Sequence, residues 1–182
     1  MEKEVLQLFS NLTELDREIQ YESYEKLMKI MQEPVDWTYA VWEHLIQALT
    51  YKDGHVRARA VQFLCALAAK SDPEERVLED FLKIWAVTYD DKTVTARHSL
   101  QAIWQIGLAG QVQRDLIVSY LAKRFQTCID EKHPALMRYD IIVSFKKLFD
   151  ATNDTKLLEI AQRLIEEEQD AKYKKKYKMA IR

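Results

Sequence analysis

The chain has 182 residues, of which 48% are hydrophobic, and it contains only three glycines and three prolines. This length is typical of a single domain, and the scarcity of turn residues excludes a multi-stranded sheet with tight hairpins and favours an all-helical chain. Residues 1–171 hold 21 basic and 29 acidic side chains, a net charge of −8, whereas residues 172–182 hold six basic ones. An acidic body argues against a broad nucleic-acid-binding surface, because phosphate affinity comes mainly from clustered Lys and Arg.

Turn and breaker residues divide the sequence into about nine predicted helices. The breakers are Pro34, Asp53-Gly54, Pro73, Asp90-Asp91, Gly110, His133-Pro134 and Asn153-Asp154. The predicted helices span residues 2–10, 13–32, 36–51, 55–70, 73–89, 93–108, 111–130, 134–150 and 155–178. The strongest start signal is Asp72-Pro73-Glu74-Glu75, in which Asp72 is expected to accept the free amide of Glu75.

An arginine recurs at a nearly constant interval along the chain. Intervals of 40, 40 and 41 residues separate Arg17, Arg57, Arg97 and Arg138. Seven residues after each arginine stand Tyr24, Leu64, Trp104 and Phe145, and ten residues after stand Leu27, Leu67, Gly107 and Leu148. A period near 40 residues, carried by two helices, is typical of proteins that stack like units side by side. Gly107 replaces a leucine in this pattern, and the bulk of Trp104 is expected to compensate for it.

The second helix of each predicted pair carries one apolar stripe in the same register. The stripes are Val56, Ala60, Phe63, Leu64 and Leu67 in the second unit, Ala96, Leu100, Ile103, Trp104 and Gly107 in the third, and Met137, Ile141, Ser144, Phe145 and Leu148 in the fourth. This spacing indicates helices with a single buried face. Because one helix pair cannot bury such a face alone, neighbouring units must cover it.

The aspartate at each turn, the following arginine and the spaced apolar positions resemble HEAT repeats over about residues 13–168. The resemblance implies an all-α fold, a right-handed α-α superhelix of about four HEAT-like pairs at residues 2–33, 36–70, 73–109 and 111–151. It also implies a capping helix at 155–178, which carries a basic tail at 172–182. The chain is therefore expected to be one domain, an armadillo-like solenoid whose second helices line a concave face.

HEAT proteins tend to join adjacent units through a ladder of aspartate and arginine side chains. The resemblance implies that Asp53, Asp91 and Asp130 meet Arg57, Arg97 and Arg138 in this way. The first unit departs from the pattern because Thr13 stands in place of the aspartate, so Arg17 is expected to be solvated.

No motif in the sequence predicts catalysis, a cofactor or a metal ion. The four histidines, His44, His55, His98 and His133, form no pair with the i and i+3 or i+4 spacing that brings metal ligands together on a helix. Clustered glycines that would cradle a phosphate are also lacking. The prediction is a protein that is not an enzyme and binds no cofactor, with Cys65 and Cys128 as small buried apolar residues.

The enzymatic alternative is a resemblance to the HEAT-like alkylpurine DNA glycosylases, which use tryptophan and aspartate side chains around a damaged base. The tryptophans are Trp37, Trp42, Trp85 and Trp104, and the candidate pair is Trp85 followed by Asp90. A separation of five residues places that pair about 140° apart on a helical wheel. Packing in the core is the better interpretation of these tryptophans.

Polar and aromatic positions that face away from the stripes form the candidate binding face. They are Arg59, Gln62, His98, Gln101, Gln105, Tyr139 and Lys146, with Glu18, Glu22 and Glu25 on the first unit. The hypothesis is that this face binds an extended peptide or a helix of another protein, with the glutamines as hydrogen-bonding groups and Tyr139 as an aromatic anchor. The alternative is an ordinary solvated surface.

Two further hypotheses concern charge and the solenoid ends. Nucleic acid could be bound by Lys123, Arg124, Lys146, Lys147 and the basic tail of Lys172, Lys174, Lys175, Lys176 and Lys178. As a basic arm with Tyr173 and Tyr177 interleaved, the tail is also suited to contact RNA, an anionic lipid surface or an acidic partner. The alternative is a solvated helix held by Glu168/Lys172 and Asp170/Lys174 pairs. Self-assembly is the other hypothesis, with Val5, Leu8 and Phe9 of the first helix as a possible cap.

The chain start lacks the apolar run of a signal peptide, and no stretch approaches the ~18 uncharged apolar residues of a membrane span. A soluble, cytoplasmic protein is therefore expected.

Overall fold

The computed structural model describes residues 3–182, and all regular structure in this range is helical. The helices are α1 Lys3–Asn11, α2 Arg17–Ile30, α3 Thr38–Ala48, α4 Gly54–Ser71, α5 Arg76–Ala86, α6 Thr93–Ala102, α7 Gln111–Thr127, α8 Pro134–Thr152, α9 Thr155–Glu167 and α10 Ala171–Ala180. Short 3-10 segments at Val87–Tyr89, Ile103–Leu108 and Cys128–Asp130 continue α5, α6 and α7. The predicted all-α fold is confirmed, and the predicted helix start at residue 2 lies outside the described residues.

The helices pack in two layers. In the second-helix layer, α2 contacts α4, α4 contacts α6, α6 contacts α8 and α8 contacts α10. The first helices α1, α3, α5, α7 and α9 each lie against this layer. One continuous cluster of buried apolar side chains runs between the layers from Val5 to Tyr177. Each pair therefore buries its stripe against its neighbours, as the repeat pattern requires.

The start of α5 differs from the prediction. The helix begins at Arg76, three residues after Pro73, and Glu75 adopts the left-handed backbone conformation with φ 55°. The Asp72 carboxylate accepts from the amides of Arg76 at 3.0 Å and Val77 at 2.9 Å, whereas the Glu75 amide bonds to the Asp72 main-chain oxygen. Asp72 therefore does cap the helix, but the turn Asp72–Glu75 precedes the helix and the carboxylate bonds to amides four and five residues ahead.

The predicted helix 155–178 is two helices, α9 and α10, with a break at residues 168–170. Asp170 starts α10, because its carboxylate accepts from the amides of Lys172 at 2.8 Å and Tyr173 at 3.2 Å. Tyr177 of α10 is completely buried, and its hydroxyl donates to the main-chain oxygen of Ala135 at 2.9 Å. The C-terminal cap is therefore itself a helix pair, held to α8 by a buried aromatic ring.

Three arginines of the second helices form ion pairs with the following unit. Arg57 binds both oxygens of Asp90, at 2.6 and 2.9 Å. Arg97 binds both oxygens of Asp140, at 2.7 and 3.0 Å. Arg138 binds Glu168 at 2.9 Å, and Arg17 is exposed. The repeating arginines therefore do link adjacent units, as the resemblance implied.

The carboxylates of this ladder are not the predicted Asp53, Asp91 and Asp130. Asp53 instead caps α4 by accepting from the amide of His55 at 2.8 Å. Asp91 and Asp130 are exposed. The pairing prediction was wrong because the partners are other carboxylates of the next unit: Asp90 and Glu168 precede its second helix, and Asp140 lies on that helix.

Two ladder carboxylates occupy equivalent places, three residues before the next second helix. Asp90 precedes α6 and Glu168 precedes α10 by this distance, and each accepts from an amide two residues ahead. The equivalent residue before α8 is Glu131, but it accepts from the buried Arg124 at 2.8 Å. Because Glu131 is already paired, Arg97 reaches Asp140 on α8 itself.

Gly107 is required by packing rather than compensated by Trp104. A Cβ at this position would lie 2.8 Å from Cδ2 of Leu148, a completely buried side chain of α8. Gly107 also lies in the 3-10 segment, where its main-chain oxygen accepts from Arg114 at 3.1 Å. The absence of a side chain lets this segment pack closely against α8.

Cys65 and Cys128 are both buried, as predicted, and burial raises the pKa of each thiol. Within residues 3–182, no helix has the combination of length and apolar composition needed to cross a membrane.

We expect Gly107→Ala to destabilise the protein by about 1–3 kcal/mol, the usual cost of overpacking a filled core. Helix propensity alone predicts the opposite sign. Gly110→Ala is a second comparison rather than a neutral control: its φ of 177° suits any residue, but its added Cβ would lie 2.7 Å from Oε1 of the buried Gln113. Urea unfolding of the two variants checks this, and a Gly107→Ala protein as stable as wild type would contradict the packing argument.

We expect Asp90→Asn to lower the free energy of unfolding by about 1–3 kcal/mol, because it leaves the Arg57 guanidinium without its charged partner. Asp91→Asn, at the neighbouring exposed carboxylate, should change it by less than about 0.5 kcal/mol. Chemical unfolding measures both variants. Equal effects of the two substitutions would contradict the Arg57–Asp90 pairing and favour the predicted ladder through Asp91.

The effect of Asp90→Asn should also depend on pH. Burial raises the pKa of Asp90, but hydrogen bonds from Arg57 and the Lys92 amide outweigh burial, so the pKa lies below its ordinary 3.8. A lowered pKa in the folded state contributes stability that is present above pH 3.8 and is lost as the pH falls through the folded-state pKa. The difference between wild type and variant should therefore shrink below that pH.

Candidate partner-binding face

Helix α4, in the middle of the second-helix layer, leaves only a narrow strip uncovered. Eleven of the 18 residues of α4 are buried, so its solvent contact is confined mainly to the side that holds His55, Arg59 and Gln62. The corresponding strips of α6 and α8 hold His98 and Tyr139. We call these strips together the second-helix face. Its residues are Tyr24, Arg59, Gln62, His98, Gln101, Trp104, Gln105, Tyr139, Val143, Lys146, Lys147 and Lys176.

At the α2 end of this face, Arg59 is held by two contacts with the preceding unit. Its Nη1 donates to Gln20 at 3.1 Å, and its guanidinium lies over the Tyr24 ring, 5.7 Å from the ring centre. Burial raises the pKa of the Tyr24 hydroxyl, and the charge of Arg59 opposes that rise. Gln62 beside them is half-buried.

In the middle of the face, His98 is exposed but the two predicted glutamines are engaged within the chain. Gln101 donates to Asp140 at 3.0 Å, beside the Arg97 pair, and therefore supports the ladder. Gln105 donates to the main-chain oxygen of Ala102 at 3.3 Å. Gln101 is a structural residue, whereas the long bond of Gln105 leaves it the more easily recruited donor.

At the α8 end, Tyr139 is half-buried against Tyr177, with ring centres 6.5 Å apart, and Nζ of Lys176 lies 4.5 Å from the Tyr139 ring centre. Lys146 is paired with Asp150 on its own helix. The predicted anchor tyrosine is thus fixed in place and covered by a cation, while Lys146 is neutralised.

Three aromatic rings of the face each lie beneath a cation from the next second helix. The pairs are Tyr24 with Arg59 at 5.7 Å, Trp104 with Lys147 at 5.6 Å, and Tyr139 with Lys176 at 4.5 Å. Such pairs contribute about 0.5–1 kcal/mol at exposed sites and about 2 or more when desolvated. This row gives the face rigid aromatic groups with positive charge above them.

Sequence reasoning missed the Trp104–Lys147 pair because it placed Trp104 in the buried stripe. The chain leaves α-helical geometry after Ala102, and the 3-10 segment Ile103–Leu108 has about 3.0 residues per turn rather than 3.6. That change rotates Trp104 out of the stripe, and the residue is half-buried. Gly107, anomalous in a helix interior, was the signal that could have revealed the break.

The remaining tryptophans are core residues. Trp42 is completely buried and donates from Nε1 to Asp80 at 2.9 Å. Trp37 is buried against Phe9, and Trp85 is buried against Phe81 and Tyr120. The carboxylate of Asp90, the predicted partner of Trp85, is occupied by Arg57. Neither member of the Trp85–Asp90 pair is therefore presented to a base.

Arg124 was a candidate phosphate contact, and its burial contradicts that role. The side chain is 1% exposed, stacks 3.7 Å from the Tyr89 ring centre and donates to Thr88 and Glu131. Lys123 and Lys147 are exposed, as the nucleic-acid hypothesis requires. Of the two predicted phosphate contacts on α7, only Lys123 is exposed.

The sequence matches no protein-family model and no curated protein. Among solved structures, it is similar to an engineered protein of the Northeast Structural Genomics Consortium, with a TM-score of 0.52 and 18% identity over 98% of this chain and 78% of that chain. A second engineered protein of the consortium has a TM-score of 0.51 and 18% identity, covering 98% of this chain and 47% of that one. A designed armadillo repeat protein has a TM-score of 0.46 and 16% identity, covering 97% and 98%. The chain is a helical repeat of stacked helix pairs, and it shares this fold with the two engineered proteins.

Proposed function

We propose that this protein is a noncatalytic interaction module that binds a peptide or a helix of another protein along the second-helix face. The row of three aromatic–cation pairs carries this proposal. Tyr, Trp and Arg are the residue types enriched where protein interfaces gain most of their binding energy. Repeat folds of this kind commonly bind proteins, which supports the same function.

The pairs suit binding because they are fixed before a partner arrives. Tyr24 and Tyr139 are half-buried between helices, so little side-chain entropy remains to be lost on association. A partner that covers the cations would remove water from them and strengthen the cation–π attraction. Part of the binding energy would thus come from strengthening cation–π contacts that are already formed in the free protein.

Charge along the face gives a bound segment a preferred direction. Outside the residues that define the face, α2 exposes Glu18, Glu22 and Glu25, and the α8–α10 end of the face carries Lys147 and Lys176. A partner with complementary charges would bind in one orientation, because the reversed orientation opposes like charges.

The test is capture of a crosslinked partner by wild type and by a triple variant, Gln62→Ala/His98→Ala/Gln105→Ala. These side chains lie on the face without belonging to the ladder. We expect capture of the specific partner to fall by about tenfold, equivalent to about 1.4 kcal/mol. Quantitative mass spectrometry of the crosslinked products measures the change.

The matched control is Gln47→Ala/Ser119→Ala/Gln162→Ala, three exposed polar residues on the first helices. Capture should be unchanged in this control. Equal capture by all three proteins would reject the face. Recovery of nucleic acid instead of protein, with retention that falls steeply as salt rises, would reject the function itself.

A further inference from the structure

We infer that the groove between α8 and α10 binds an acidic peptide segment, with Lys172, Lys175 and Lys176 as the groups that neutralise its carboxylates. The groove has a volume of about 420 Å³ and is lined by Tyr139, Lys172, Lys175, Lys176, Met179 and Ala180. It continues the second-helix face at its C-terminal end. The inference therefore rests on the proposed function and names the chemistry of the partner there.

The lysines of α10 divide into two sets. Lys174 and Lys178 bind the Glu166 carboxylate, at 3.0 and 2.7 Å, and these bonds lower the pKa of Glu166. Lys172, Lys175 and Lys176 are exposed and pair with no carboxylate among residues 3–182. The second set follows i, i+3, i+4 spacing, so its members lie side by side and repel one another. An acidic ligand would replace that repulsion with attraction.

The groove also has an apolar component. The Met179 side chain is 60% exposed, and the half-buried Tyr139 ring lies beneath Lys176. Methionine adapts its shape to different apolar groups, and tyrosine offers a rigid surface. The best fit is therefore a segment with two or three Asp or Glu residues around one large apolar residue.

Charge and size favour such a segment over a nucleic acid. The three lysines span only about 6 Å of helix axis, which matches two or three carboxylates but not a long phosphate track. Residues 1–171 carry a net charge of −8, so a polyanion extending beyond the groove would meet a repulsive surface.

The lysines are displayed on a fixed helix rather than on a mobile arm. Tyr177, on the opposite side of α10, is completely buried and contacts Phe125 with a ring-centre distance of 6.1 Å. Asp170 caps the first turn. The basic side chains are thus positioned in advance, and substituting them removes charge without removing core contacts.

Fluorescence anisotropy with labelled peptides and the full chain tests the inference. The probe is a Glu/Asp-rich peptide with one central Phe, compared with the same peptide carrying Gln and Asn in place of the acids. We expect the acidic peptide to bind and the amide peptide to bind at least about tenfold more weakly. Affinity should fall as salt is raised.

Lys172→Gln/Lys175→Gln/Lys176→Gln should weaken the acidic peptide by about tenfold or more. The matched control, Lys52→Gln/Lys123→Gln/Lys156→Gln, makes the same change in net charge with exposed lysines elsewhere and should alter affinity by less than about twofold. Met179→Glu, a second variant that places a carboxylate in the groove, should weaken binding similarly. Thermal unfolding confirms that each variant is folded.

Equal loss in the groove and control variants, equal binding of the two peptides, or tighter binding of a single-stranded oligonucleotide than of the acidic peptide would overturn the inference. The face variant Gln62→Ala/His98→Ala/Gln105→Ala separates it from the proposed function. If that variant loses its partner while the groove variant binds acidic peptide like wild type, the inference fails alone. If no partner depends on the face but the groove variant loses the peptide, the broader function fails and the groove remains.

Discussion

Each helix pair of this protein buries its apolar stripe only against the next pair, and the rest of the structure depends on that requirement. Helix α4, packed on both neighbouring second helices and on first helices, is left with one narrow strip of solvent contact. Residues on this strip are therefore spaced by the stacking of helices rather than by loops. A face built on packed helices holds its side chains more firmly than a loop would.

The arginine ladder fixes the orientation of adjacent units relative to each other. Apolar contacts are non-directional, whereas a guanidinium that binds both oxygens of Asp90 or Asp140 accepts one geometry. Glu131 shows how local competition decides the partner: it binds Arg124, and Arg97 then takes Asp140. The arginines of the ladder therefore occupy equivalent positions in each unit, whereas their acidic partners do not.

Periodicity was enough to predict the second helices, because stacking imposes the same spacing on each unit. It predicted Leu64 and Phe145 in the core, and both are completely buried. It failed at Trp104, where the 3-10 segment breaks the phase, and at residues 168–170, where Asp170 starts a new helix. Both failures arise from local changes in backbone conformation, which a pattern repeated over many residues does not detect.

The candidate face was less predictable than the fold, because a position on a strip does not say what its side chain already binds. Gln101 and His98 are neighbours on the same strip, yet Gln101 is bound to Asp140 and His98 is exposed. The cation–π row joins residues about 35 to 43 positions apart, and only the packing of successive units brings them together.

The C-terminal helix combines two roles that sequence reasoning set against each other. The sequence suggested two hypotheses for residues 172–182, a solvated helix and a basic arm. Both placed these residues outside the core. In the structure, one side of α10 buries Tyr177 and anchors Lys174 and Lys178 on Glu166, while the other side exposes lysines that pair with no carboxylate in the described part of the chain. A helix of ten residues can do both, because 3.6 residues per turn place the two sets of side chains on different sides of the helix. Packing against α8 and displaying charge are thus properties of the same element.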